Sequence, residues 1–427
     1  MLHAAFEAIV REQRAAIRAT LIRLTGNWDL AEDCVQEASL RAWTNWSEQG
    51  LPERPGAWLT TVARRLAIDH LRRERNLCEI PSNLAQPESH SFGELTPETL
   101  SGVEDDLLRL IFTCCHPVLN DAARISLTLR TVCGLTTREI ARALLEPEST
   151  TAQRIVRARR KLAEEHVEFA VPSSKELPLR LKSVLLVIYL VFNEGYAATE
   201  GPDLLRSELC REAIRLGRLV VRLLPDEPEA RGLLALMLLH DSRRGTRVAV
   251  DGALIPLDSQ DRSLWDATRI QDGLQEVRRA LEMRKSGPYQ IQAAIAALHA
   301  EAATPEETDW TQIATLYQEL LRRTPTPVIE LNAAAALAMA GNLDGALRWI
   351  DAIEARGELR GYYLLYASKA DLLRRNGEFA ASATAYEDAL KYVPSQPERL
   401  YLTRRLAQLQ SDGEIQSARD GQTHHST

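Results

Sequence analysis

Residues 134–162 read GLTTREIARALLEPESTTAQRIVRARRKL, and five of the last nine are basic in a chain of net charge −7. Thr136 followed by Glu139 has the spacing of a capping box, which predicts a helix start there. Ile140, Ala141 and Leu144 fall on one side of that short helix. Pro147 breaks it and suits the first turn of a second helix. In the second helix Ala152, Ile155, Val156 and Leu162 recur at helical spacing and are expected to face inward. Thr150, Thr151, Gln153, Arg154 and Arg157 are left facing outward. Two short helices joined by a tight turn, the second polar and basic at its N-terminal end, make a helix-turn-helix. Its hydroxyls and guanidinium groups suit phosphates and base edges in a major groove. Arg159, Arg160 and Lys161 extend the positive charge toward a phosphate backbone.

The rest of the chain is read outward from there. At 427 residues it exceeds one core and predicts several domains. Ala, Leu, Arg and Glu abound, and period-two runs of Val, Ile and Thr are missing, so the expected fold class is all-α. Of the six cysteines, Cys114 and Cys115 are adjacent in CCHP and cannot easily point at one ion. They read as small buried side chains, with no disulfide framework and no metal, which fits a reducing cytoplasm. Glu7, Arg11 and Glu12 interrupt the opening stretch, so no signal peptide is expected. The most apolar run, SVLLVIYLVF at 183–192, has about half the length a bilayer needs.

A second basic face lies at 57–75, AWLTTVARRLAIDHLRRER. Leu59, Val62, Ala63, Leu66 and Ala67 share one side of a helix, while Arg64, Arg65, Arg72 and Arg75 cluster opposite. The preceding DLAEDCVQEASLRAWTNW, 29–46, carries Asp29, Glu32 and Asp33 where a helix dipole favours acids. Leu30, Cys34, Val35, Ala38 and Ala42 form its apolar stripe. From Asn76 to Leu108 there is no Lys or Arg but there are seven acids, with Pro81, Pro87 and Pro97, which reads as a linker. Near the C-terminus, residues 331–353 and 366–394 superpose with Gly341 on Gly377, a period of 36, close to that of tetratricopeptide units. The stretch 210–241 has a similar helix-turn-helix rhythm.

DLAEDCVQEASLRAW followed by PGAWLTTVARRLAIDHLRR resembles domain two of the extracytoplasmic-function (ECF) sigma factors of bacterial RNA polymerase, and 134–162 resembles their domain four. FNEGYAATEG at 192–201 and LLPDEPEARGLLALMLLHDSRR at 223–244 resemble the C-terminal extension of the ECF subgroup that carries tetratricopeptide-like repeats. The resemblance implies two small helical sigma domains, the second a helix-turn-helix, plus a C-terminal tetratricopeptide-like helical repeat region. The expected limits are 1–78 for domain two, 79–104 for the acidic linker, 105–170 for domain four, 171–288 for a helical extension, 289–410 for repeats and 411–427 for a disordered tail.

By the same resemblance Asp33, Gln36 and Glu37 dock on core RNA polymerase. Arg64, Arg65, Arg72 and Arg73 lie on the −10 promoter element, and Thr150, Thr151, Arg154 and Arg157 read the −35 element. Residues 45–55 take the place of a loop that captures a flipped base, near Trp43 and Trp46, for which core packing is the plainer reading. Where many members have Gly at the turn of domain four, this sequence has Leu145 and Glu146, then Pro147. The function implied is an alternative sigma factor. It is not an enzyme, needs no cofactor, and has core polymerase, promoter DNA and a protein or peptide ligand of the repeats as partners. Residues 1–170 carry 21 basic and 24 acidic side chains, net −3, which fits a DNA binder that borrows affinity from the polymerase. The competing reading is a helix-turn-helix regulator with a repeat-protein sensor, which has no use for the basic helix at 57–75. His240-Asp241 and Asn193-Glu194, polar amid apolar runs, lack a triad or phosphate loop and read as structural.

Overall fold

The computed structural model describes residues 2–75, 97–144, 146–196 and 207–423. Those residues form α-helices and short 3-10 turns, and their one β pairing is the isolated bridge between Val248 and Leu254. The chain divides into two compact units, Met1–Val187 and Ile188–Thr427.

Unit 1 opens with α1 (Leu2–Thr25), α2 (Trp28–Gln49) and α3 (Pro55–Arg75). Asn27 caps α2, its side chain accepting from the N–H groups of Asp29 and Leu30. The expected stripe of α2 is buried at Leu30, Cys34, Val35, Ala38 and Ala42, and Trp46 joins it. Trp46 packs edge-on to Phe6 and to Trp58, so it serves the core. The next helices are α4 (Pro97–Cys114), α5 (Asp121–Thr131), α6 (Thr137–Ala143) and α7 (Glu148–Glu164). The capping box is present: Glu139 N–H donates to Thr136 Oγ at 3.1 Å and Thr136 N–H donates to Glu139 Oε2 at 2.7 Å. Helix α8 (Leu177–Tyr196) contains the boundary between the units. Arg180 donates to the Phe112 carbonyl at 2.9 Å and Ser183 to the Cys115 carbonyl at 2.8 Å, so the start of α8 seals the C-terminal end of α4.

Two expectations about this unit are corrected. Helix α4 begins at Pro97, inside the stretch read as linker, and its Asp106 is buried rather than solvated. Asp106 accepts from Arg23 of α1 at 2.8 Å and Arg109 at 2.7 Å. The modules expected as separate domains therefore pack as one body. Arg18, 1 % exposed, joins them: it pairs with Glu32 at 2.6 Å and donates to the Thr131 carbonyl. The rest of the acidic stretch, residues 76–96, lies outside the described residues.

Unit 2 continues through α9 (Ser207–Leu223), α10 (Pro228–Ser242), α11 (Ala267–Glu282), α12 (Pro288–Glu301) and α13 (Trp310–Arg323). Four helices then repeat as two hairpins, α14 (Pro327–Met339) with α15 (Leu343–Arg356), and α16 (Tyr363–Arg375) with α17 (Phe379–Tyr392). Every boundary of the first hairpin recurs 36 residues later, as Gly341 does in Gly377. Both glycines have positive φ, which side chains disfavour, and the residue after each donates back five positions. Buried positions repeat in step: Ala334 with Ala370, Ala346 with Ser382, Ile350 with Tyr386, Ile353 with Ala389. No compact boundary falls at 288–289, because Ala293 and Ala297 of α12 pack into the cluster of Leu236, Leu239 and Leu274. Helix α18 (Gln396–Thr423) runs through most of the segment expected as a disordered tail.

Candidate nucleic-acid interface

Helix α3 buries Leu59, Ala63 and Ala67 and half-buries Val62 and Leu66. Arg64, Arg65, Arg72 and Arg73 are exposed on its other side, and Asp69 lies 3.9 Å from Arg72. The side chain of Arg75 lies outside the described residues. With only that long pair at Arg72 among the described residues, these arginines present a row of charge suited to a phosphate backbone.

On α2, Asp33, Gln36 and Glu37 are all exposed on one face. Glu37 accepts from Arg41 at 2.9 Å. Between them stands Leu40, 63 % exposed, which pattern reading passed over. An apolar side chain amid acids is what a protein-docking patch needs at its centre. An aliphatic residue beside the D-x-x-Q-E spacing was the available signal. Glu32, grouped with these acids by sequence, is buried and serves Arg18 and Arg130 instead. Burial pushes its carboxyl up, but Arg18 and Arg130 outweigh that and hold it below its ordinary value. Burial lowers the Arg18 guanidinium to about 10, still charged at neutral pH.

Helix α7 corrects the sequence reading most. Thr151 is fully buried, its hydroxyl donating to Glu146, and Arg154 donates to both oxygens of the same carboxylate and to Ser126 Oγ. Both were expected to face DNA. Glu146, standing one residue before the Pro147 N-cap, reaches over the first turn and claims them. Val156, expected inside, is 65 % exposed, and Ala152 is exposed too. The inward set is Thr151, Ile155, Ala158 and Leu162. Arg159, read as extending the charge toward a backbone, instead pairs with Asp29 at 2.8 Å and covers the Trp28 ring at 5.5 Å. Thr150, Gln153 and Arg157 remain exposed. They border a groove of about 650 Å³ shared with Lys161 and with Asn120 at the start of α5. Leu145, at the turn, lies outside the described residues.

The cysteines expected as packing residues are packing residues. Cys114 and Cys115 are buried, and burial raises both thiols, Cys115 to about 11.

The chain matches the family Sigma-70 region 2 over residues 9–77 and Sigma-70, region 4 over 109–162. These are the segments that carry the α3 row and the α6–α7 motif. The two regions, in this order, support an ECF-type sigma factor. They support a role as an alternative sigma factor in promoter recognition, and sigma domains imply binding of core RNA polymerase and promoter DNA. Residues 180–281 match a family of unknown function, DUF6596. The chain is similar to the Uncharacterized protein R00370 of Rhizobium meliloti (strain 1021), 41 % identical across 95 % of this chain and 96 % of that one. It is also similar to the ECF RNA polymerase sigma factor SigL of Mycobacterium tuberculosis (strain ATCC 25618 / H37Rv), 38 % identical over 25 % of this chain. The Probable ECF RNA polymerase sigma factor SigI of the same strain is 29 % identical over 40 % of it. The matched part spans 58 % of SigL and 58 % of SigI. Among the described residues no helix is long and apolar enough to cross a membrane.

Proposed function

We propose that this sigma factor grips a promoter at two places, with α3 on the −10 element and α7 on the −35 element, while α2 docks on the polymerase. The observation that carries the reading is the pair of separate basic faces in one unit, each within a matched sigma region. Arg64, Arg65, Arg72 and Arg73 hold the −10 duplex edge. Thr150 and Arg157, with Gln153, read the −35 groove, and Asp33, Gln36, Glu37 and Leu40 meet the polymerase. Thr151 and Arg154 shape the turn that aims α7.

The two elements lie about 25 base pairs apart, about 85 Å along B-form DNA. A compact unit of this length has a radius of gyration of about 16 Å. Unit 1 therefore opens between its modules when it binds a promoter, and the Arg18, Arg23 and Arg159 contacts are those that release. The chain acts in the cytoplasm and catalyses no bond chemistry itself. Unit 2 corresponds to a tetratricopeptide-like extension that regulates the sigma module in cis; the hairpin repeat of 36 residues supports that assignment.

Reconstitution with cognate core polymerase and genomic DNA, followed by mapping of start sites, tests the reading. New start sites sharing two spaced elements are expected; no association with polymerase and no new initiation would end it. A fragment of residues 1–196 keeps α8, which seals α4, and is the proper comparison for cis regulation. Equal promoter choice and output from fragment and full chain would remove that part.

A further inference from the structure

His240 and its neighbours, set aside as structural by pattern reading, stand in a cluster whose charges do not balance. Tyr196 ends α8 and is 8 % exposed. Its ring stacks on Phe192, with centroids 5.5 Å apart, and meets the edge of His240 at 5.2 Å. Arg247 lies 3.7 Å from the ring centroid and Arg243 5.5 Å. Arg247 is buried and donates to the Tyr196 carbonyl; Arg243 meets His240 Nδ1 at 3.2 Å.

Neighbouring arginines are paired. Asp241 takes Arg244 at 3.2 Å and Arg269 at 3.1 Å, and Asp266 also takes Arg269. Arg262 is spent on the carbonyls of His299 and Ala302 and on Thr308. No carboxylate among the described residues forms an ion pair with Arg243 or Arg247. Glu398, the acid whose charge reaches Arg247, is engaged by Tyr363 and Ser395. The Tyr196 hydroxyl is buried with no hydrogen-bond partner.

A buried guanidinium without a counter-charge is costly, and a ring face offsets only part of that cost. An orphaned buried hydroxyl adds to it. One bound anion would satisfy all three groups. We infer that unit 2 holds a small oxyanion, a phosphate or a carboxylate group, between Arg243, Arg247 and the Tyr196 hydroxyl. Guanidinium forks match either group. The burial of His240, together with the field of Arg243 and Arg247, keeps its imidazole neutral, so it does not compete as a second cation. All of these residues fall within the segment matching the family of unknown function, 180–281.

The test needs no polymerase and stands apart from the promoter reading. Titrate the full chain calorimetrically with inorganic phosphate and, in a second arm, with succinate, at constant ionic strength. Use wild type, Arg243→Gln and Tyr196→Phe, with melting curves confirming that each variant folds. Saturable binding in one arm, weakened about tenfold or more by each variant, is expected, and the arm that responds names the ligand group. No saturable binding in either arm, or binding that both folded variants retain undiminished, would overturn the proposal.

Discussion

Helices α3 and α7 carry nearly equal charge and use it differently. On α3 Arg64, Arg65, Arg72 and Arg73 stand in solvent, and their one ion pair among the described residues is Arg72 with Asp69 at 3.9 Å. On α7 Arg154 is held by Glu146, Arg159 by Asp29 at 2.8 Å and Arg160 by Glu164 at 2.6 Å, while Arg157 is exposed and makes no ion pair among the described residues. Helix α3 is a surface of largely unspent charge, whereas α7 spends Arg154 on aiming its own first turn and Arg159 on assembling unit 1. A count of basic residues measures donors present, and only their partners decide which are available.

The sharpest way to break this comparison is to disturb the buried pair that holds the modules together. Glu32→Ala strands Arg18 without its partner and is expected to destabilise unit 1 by about 3–5 kcal/mol in urea denaturation. The same carboxylate predicts acid lability. Its folded pKa lies below the ordinary 4.5, so its contribution is complete above that value and is lost as pH falls through the folded one. Melting curves from pH 6 to 3 should show this loss in wild type, and a smaller one in Glu32→Ala.

Next comes the unspent charge. Arg64→Glu with Arg65→Glu should lower run-off transcription by about a hundredfold while leaving the melting temperature in place. Retained transcription would mean that α3 does not meet DNA. On α7 a milder split is expected: Arg157→Ala weakens −35-dependent binding about tenfold, read by gel shift of the polymerase complex on matched and mutated −35 sequences. Arg154→Ala should show its effect mainly as a lowered melting temperature; the reverse assignment would restore Arg154 as a reader. The smallest effect belongs to Asp29→Asn. Its exposed pair with Arg159 is worth under about 1 kcal/mol, so stability should barely move in the same denaturation assay.

The helices were largely legible in advance because their signals are local. The Thr136–Glu139 box and the three- and four-residue spacing of the α2 stripe depend on residues about one turn apart, and Gly341 and Gly377 each mark a turn within their own hairpin. The same holds for the α3 face, whose outward arginines follow from the inward Leu59, Ala63 and Ala67. The reading failed where a side chain answers to something distant or to a turn of unusual shape. Thr151 and Arg154 were misplaced because Glu146 bends back over them. Asp106, counted among the acids of the stretch without Lys or Arg, gave no sign of its pairing because its partner Arg23 is 83 positions away. Leu40 was missed because one exposed leucine carries no pattern.

What the amino-acid order settled alone was the all-helical class, the two sigma segments and the spacing of the hairpins, since periodicity and capping act over a few residues. What the tertiary structure decided was which charges are free. An ion pair forms wherever two groups meet in space, at any separation along the chain, and each one formed removes a guanidinium from what DNA or a ligand can reach.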